Sequence, residues 1–149
     1  QELFPNNRNS LEELRDQVEG FLADLSGYVF DDFYYFREEI GQKNLSILSF
    51  GDLEMQRVKI ENSGIGGLVD DYEIIQEPKG EYLEREYPDT QAVLVDDRPD
   101  QLESAKRNLN NWKLIRMRRK EGRYADLPDS GELETVRDFH ELEKRLSID

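Results

Sequence analysis

The chain contains no cysteine and a single histidine, His140. Those two absences exclude a disulfide framework, a thiolate nucleophile and any zinc site built on thiolates. Chemistry, where the chain performs any, must rest on carboxylates, hydroxyls and lysine. Long apolar runs are missing too: none approaches the roughly 20 residues that a bilayer-spanning helix needs. The first residues carry neither the basic nor the apolar part of a secretory leader, so a cytoplasmic location is expected. Positive charge is in deficit, with 20 Lys and Arg against 34 Asp and Glu, a formal net charge of −14. A field of that sign repels polyanions, so nucleic acid or an anionic membrane could be met only through a local patch. The hydrophobic share of 36%, with 10% aromatic residues, nevertheless exceeds what a disordered chain of this charge carries. At 149 residues the chain suffices for one core and not two.

Apolar spacing then supplies the order of elements. Ser10 followed by Glu13 has the form of a capping box and predicts a helix start at Ser10. Leu11, Leu14, Val18, Phe21, Leu22 and Leu25 fall on one face of that helix, with Gly27 marking its end. A second helix is expected over Asp31 to Ile40, closed by Gly41, with Phe33, Phe36 and Ile40 inward. Leu45 to Phe50 reads as a strand buried on both faces, Leu53 to Asn62 as a helix, and Tyr72 to Gln76 as a weaker strand. A helix follows Pro78, then the strand Ala92 to Val95, a helix from Asp100 to Leu109 and a strand from Lys113 to Met117. Glu121 to Gly131 is a polar loop, and a closing helix would place Leu133, Val136, Phe139, Leu142 and Leu146 inward. Strands alternating with helices imply an α/β chain: a Rossmann-like three-layer sandwich around a mainly parallel sheet.

Open parallel sheets bind ligands beyond the carboxyl ends of their strands. Three polar sets lie there: Ser49, Phe50, Gly51 and Asp52 after the first strand, Glu77-Pro78-Lys79 after the second, and Asp96-Asp97 after the third. A hydroxyl, a lysine at a helix start and two adjacent carboxylates suit a phosphate and a magnesium ion, since hard oxygens hold the metal while lysine and hydroxyl hold phosphoryl oxygens. Each also has an ordinary reading, as a strand-end hydroxyl, a first-turn lysine, or acids favoured near a helix start.

In this order, Leu-Ser-Phe-Gly-Asp, Glu-Pro-Lys-Gly and Val-Leu-Val-Asp-Asp-Arg-Pro resemble motifs two, three and four of the haloacid-dehalogenase superfamily. The likeness runs over roughly residues 28 to 126. It implies that Ser49 hydrogen-bonds a phosphoryl group, that Lys79 offsets charge on a phosphorylated intermediate, and that Asp97 ligates magnesium with Asp96 beside it. It further implies a phosphohydrolase acting on a small phosphate monoester through an aspartyl-phosphate. Residues 1–27 would be a remnant of a helical cap and residues 28–149 the core, in one compact unit. Gln101 stands where many members carry an acid.

The family's first motif, a strand ending in Asp-x-Asp, is not found. Tyr28-Val29-Phe30-Asp31-Asp32-Phe33 is the nearest imitation, but its aspartates are adjacent and only 18 positions separate Asp31 from Ser49. In that family the missing strand lies between the strands bearing Ser49 and Asp97, so a central gap of unpaired backbone is expected. The sequence begins with Gln rather than Met, and the strand is expected upstream or on a separate piece that docks. A non-catalytic binding domain on the same scaffold is the alternative. The cluster Arg116, Arg118, Arg119, Lys120 and Arg123 reads as a solvated patch paired with carboxylates, and His140 as an exposed or boundary residue without a catalytic part.

Overall fold

The computed structural model describes residues 7–128 and 132–146. Helix α1 (Asn7–Ala23) leads through a short 3₁₀ turn at Ser26–Tyr28 to α2 (Asp31–Ile40). Then follow β1 (Ser46–Phe50), α3 (Leu53–Asn62), β2 (Asp71–Ile75), α4 (Lys79–Glu86), β3 (Val93–Asp96) and α5 (Pro99–Asn108). The described part closes with β4 (Lys113–Met117), β5 (Glu134–Val136) and α6 (Phe139–Leu146). No helix among the described residues is long and apolar enough to cross a membrane.

The strands run parallel but fall into two sheets, β1–β2 and β3–β4–β5. Helices cover both faces, giving the three layers of an α/β sandwich. On one face Phe36 of α2 and Leu142 of α6 pack with Ile115, Met117 and Val136, and Leu45 and Val95 join them. On the other face Leu83 of α4 and Leu102 and Ala105 of α5 pack with Leu94, and Leu48 joins them. Each core cluster therefore takes residues from both sides of the break between the sheets. A cavity of about 1350 Å³ lies at that break, with Ile47 and Leu48 of β1 and Val93, Leu94 and Val95 of β3 in its walls. The central gap expected from the sequence is thus a physical feature of the fold.

Several local expectations need correction. Residues 133 to 138 are not helical: β5 pairs with β4 at Ile115–Glu134 and Met117–Val136, and helix α6 begins only at Phe139. Leu133 and Val136 lie three apart, which puts them on one face of a helix but on opposite faces of a strand, and each joins a different core cluster. Asp138 then opens α6, its carboxylate accepting the Glu141 N–H at 2.7 Å. At the other end, α1 already includes Asn7, so Ser10 lies inside the helix and does not mark its start. The α1 face expected to point inward is open along most of its length, Leu11, Leu14, Val18 and Phe21 being 64%, 56%, 48% and 54% exposed, while Leu22 is half-buried and Leu25, just past the helix, is buried. The β1 strand, expected to be buried on both faces, is only half-buried, and among the described residues no strand covers its edge toward the cavity. Of the polar loop, 129–131 lie outside the described residues.

Candidate functional site at the carboxyl rim of the strands

Helix α4 begins at Lys79, whose side chain points back across the top of β3. Its Nζ donates to Asp96 Oδ2 at 2.5 Å, and both residues are buried, at 9% and 7% exposure. Such a charge-assisted contact holds in a low-dielectric setting only when the remaining polar atoms are also satisfied. They are: Asp96 Oδ1 accepts the backbone N–H of Arg98 at 2.9 Å. The main chain of Lys79 is held as well, its N–H donating to Oε1 of buried Gln101 at 3.0 Å, while the Gln101 amide donates to Asp100 at 3.2 Å. A close approach of α4 to α5 makes this possible. A Cβ on Gly80 would sit 2.2 Å from the carbonyl oxygen of Ser104.

Asp97 follows Asp96, is exposed and lines the cavity. Burial of the carboxylate's surroundings and the negative charge of Asp96 raise its pKa, against the pull of backbone N–H and of Lys79. Across the break, β1 ends in Ser49 and Phe50, and Gly51 turns the chain at φ 144°, a region that favours glycine. The Ser49 hydroxyl donates to Gln56 Oε1 at 3.0 Å, and Asp52 caps α3 by accepting the Met55 N–H at 2.9 Å. Arg98 joins the two halves: its guanidinium lies 4.9 Å from the centre of the Phe50 ring and 5.6 Å from that of Tyr124. It also forms a fork with Asp100 at 3.1 and 2.7 Å. The carboxyl ends of β1 and β3 therefore share one rim.

Of the sequence-derived residues, Lys79 and Asp96 are bonded, Asp97 is adjacent, and Ser49 stands on the opposite side of the break, engaged with Gln56. Lys79 is a buried member of an ion pair and not a solvated first-turn side chain. Asp96 has both oxygens occupied, which makes it the anchor of Lys79. Gln56, Gln101 and Arg98 belong to the same rim; the sequence marks Gln101 as standing where an acid is common and places Arg98 within the last of the three motifs, while Gln56 has no signal beyond its place in the first turn of the helix after Ser49. Among the described residues no three carboxylate or imidazole side chains cluster closely enough to hold a metal ion. With Asp96 committed to Lys79, Asp97 is the carboxylate left to meet a cation, and one or two carboxylates with water and phosphate are what magnesium commonly uses.

The arginine cluster is only in part the solvated, carboxylate-paired patch expected: Lys120 and Arg123 are exposed and Arg119 pairs with Asp32, but Arg116 and Arg118 turn inward. Arg116 is fully buried and donates to the carbonyls of Tyr124 and Leu127, both at 2.9 Å. Arg118 donates to the Ala125 carbonyl at 2.7 Å. Arg119 forms a fork with Asp32 at 2.8 and 2.6 Å beneath the Phe30 ring. Three of these charges thus organise the loop after β4 and fasten α2. Asp32, of the imitation motif, lies in the first turn of α2 and also accepts the Phe139 N–H at 2.7 Å. His140 is exposed on α6, its ring 6.2 Å from that of Tyr35.

No family model and no curated protein sequence matches the chain. Solved structures do. A haloacid dehalogenase-like hydrolase fold from Burkholderia xenovorans LB400 superposes with a TM-score of 0.66 at 23% identity, over 96% of this chain and 74% of that one. A magnesium-bound structure from Bacillus subtilis, described as a HAD-hydrolase with interdomain movement, gives 0.61 at 18% identity over 80% of this chain. A dehalogenase with an intermediate complex gives 0.58 at 17% over 80%. The chain spans 56% of the Bacillus protein and 57% of the dehalogenase. Its fold is haloacid-dehalogenase-like, as the motif order suggested.

Proposed function

We propose that this chain forms the greater part of a phosphohydrolase core that acts on a small phosphate monoester. The observation that carries the reading is the buried Lys79–Asp96 pair beside Asp97 at the carboxyl rim. A lysine held there with its backbone and ammonium both fixed presents a preorganised positive charge to a phosphoryl group, which is where such charge lowers a barrier. Ser49, across the break, offers a hydroxyl to the same group once it exchanges Gln56 for the ligand. The nucleophile would be a carboxylate brought by the strand that the gap lacks. Its oxygen forms a bond to phosphorus as the ester oxygen leaves with a proton; water then hydrolyses the acyl phosphate, releasing phosphate and restoring the carboxylate. Magnesium is the expected cofactor, with Asp97 its ligand from this chain. The remaining ligands do not come from the described residues, and no step is routed through the ion. We place the protein in the cytoplasm.

The test is turnover of an aryl phosphate by the full-length protein with magnesium. Activity that disappears in Asp97→Asn and Lys79→Met supports the reading. Full-length protein without turnover, folded and magnesium-supplied, contradicts it and favours a non-catalytic binding domain, which Gln101 and the incomplete metal set also suit. An RNA-binding role is disfavoured by the internal use of Arg116, Arg118 and Arg119.

A further inference from the structure

We propose that Gln101 is a positioning residue for Lys79: its amide closes a ring of hydrogen bonds through five residues that fixes where the Lys79 ammonium sits, and an acid in its place would open the ring. The inference rests on the phosphohydrolase reading for what Lys79 does to a phosphoryl group, but how Lys79 is held depends on this chain's own bonds.

The ring runs through Lys79, Asp96, Arg98, Asp100 and Gln101. The Lys79 ammonium donates to Asp96 Oδ2 at 2.5 Å, and Asp96 Oδ1 accepts the Arg98 backbone N–H at 2.9 Å. The Arg98 guanidinium donates to both oxygens of Asp100, at 3.1 and 2.7 Å. Asp100 Oδ2 also accepts the Gln101 amide at 3.2 Å, and Gln101 Oε1 accepts the Lys79 backbone N–H at 3.0 Å, which returns the path to its start.

The chemistry of Gln101 is fixed by its two neighbours. One is a backbone N–H, which can only donate, and the other is an ionised carboxylate, which can only accept. The position therefore needs an acceptor and a donor on one side chain, which a carboxamide supplies and a carboxylate does not. Gln101 is 4% exposed, so an acid here would set two carboxylates side by side away from water. Where many members of the resembled family carry an acid, Asp100 of this chain calls for an amide. Gly80 brings α4 close enough to α5 for Gln101 to reach the Lys79 backbone. Arg98, lying against the rings of Phe50 and Tyr124, ties the other arm of the ring to the end of β1 and to the loop after β4. No hydrogen bond joins the Gln101 side chain to the Lys79 ammonium or to Asp96. Its influence on them passes through the Lys79 main chain in one direction, and through Asp100 and Arg98 in the other.

Full-length protein carrying nitrogen-15-labelled lysine tests this, with solvent exchange of the Lys79 ammonium protons as the first readout and aryl phosphate turnover as the second. Gln101→Glu keeps the acceptor for the Lys79 N–H and breaks only the link to Asp100. It should speed ammonium exchange about 10-fold and lower kcat by about 10-fold or more, with KM changed less than about twofold. Combining Gln101→Glu with Asp100→Asn reverses the link, since the donor then stands at position 100 and the acceptor at 101. This pair should return both readouts to within about threefold of the parent protein. Ammonium exchange unchanged in Gln101→Glu, or a reversed pair no better than that single variant, overturns the proposal. So does a Gln101→Met protein that matches the parent, because the position then serves packing alone. Should Gln101→Glu not fold, the reversed pair decides by itself: slow ammonium exchange supports the ring and fast exchange overturns it. Exchange that quickens and recovers as stated, in a protein that never turns over aryl phosphate, leaves the ring standing and counts only against the phosphohydrolase.

Discussion

Replacing Lys79 by methionine strands the Asp96 carboxylate in a buried place without its cation, although the Arg98 N–H still donates to it. Breaking one side of such a pair costs about 3–5 kcal/mol. Urea unfolding of Lys79→Met should show a loss of that order, and adding Asp96→Asn should recover much of it, because the uncompensated charge is then gone. Gly80→Ala meets the Ser104 carbonyl at 2.2 Å, a backbone atom that cannot swing aside. Parting α4 from α5 to admit the methyl should cost about 1–3 kcal/mol in the same measurement. Asp97 behaves in the opposite sense. Its pKa is raised, first by burial and then by Asp96, so the folded chain takes up this proton more readily than the unfolded one. The ionised carboxylate therefore destabilises the fold above its folded pKa, and the penalty fades as pH falls toward the unfolded value. In a chelating buffer, Asp97→Asn should raise the urea midpoint at pH 7 and leave it unchanged in strong acid. A gain that grows on acidification would contradict this electrostatic account.

The elements differ in how openly the sequence announces them. Helices α2 and α3 have the expected bounds because a first-turn aspartate pair and a capping Asp52 start them, and glycines close in behind. The α6 region misleads, since Leu133, Val136 and Phe139 satisfy a spacing of three whether or not the first two belong to a helix. Parallel pairing with β4, remote in sequence, outweighs local propensity there. The capping box at Ser10 misleads in a similar way, as capping residues are also tolerated within a helix. What fastens α2 to α6 was not legible either: Asp32 accepts from Arg119, 87 positions away, and from the Phe139 N–H. Burial raises the Asp32 pKa, but those donors outweigh it and the net shift is downward. Asp32→Ala should cost about 3 kcal/mol, by the same logic as other buried pairs, and speed exchange at the start of α6. By contrast, serine at Leu11, Leu14 and Val18 together should change stability by under about 1 kcal/mol, because surface positions away from packing matter little.

At the scale of the whole molecule, two half-sheets share two continuous helical layers and meet at one rim through Arg98. The motif residues of that rim could be named from the sequence because they follow apolar runs at strand ends, where parallel-sheet chemistry collects. Their bonding could not: that Asp96 anchors Lys79, that Gln101 holds the Lys79 backbone and that Ser49 rests on Gln56 depend on contacts 17, 22 and 7 positions apart. The central claim is that Ser49, Lys79 and Asp97, on either side of the gap, serve one phosphate-sized ligand. Titration of inorganic phosphate with magnesium, followed residue by residue through the backbone amide resonances, tests it most directly. The claim predicts that the amides of Ser49, Lys79 and Asp97 shift together and saturate with one dissociation constant; shifts confined to one side of the gap, or saturating separately, would contradict it.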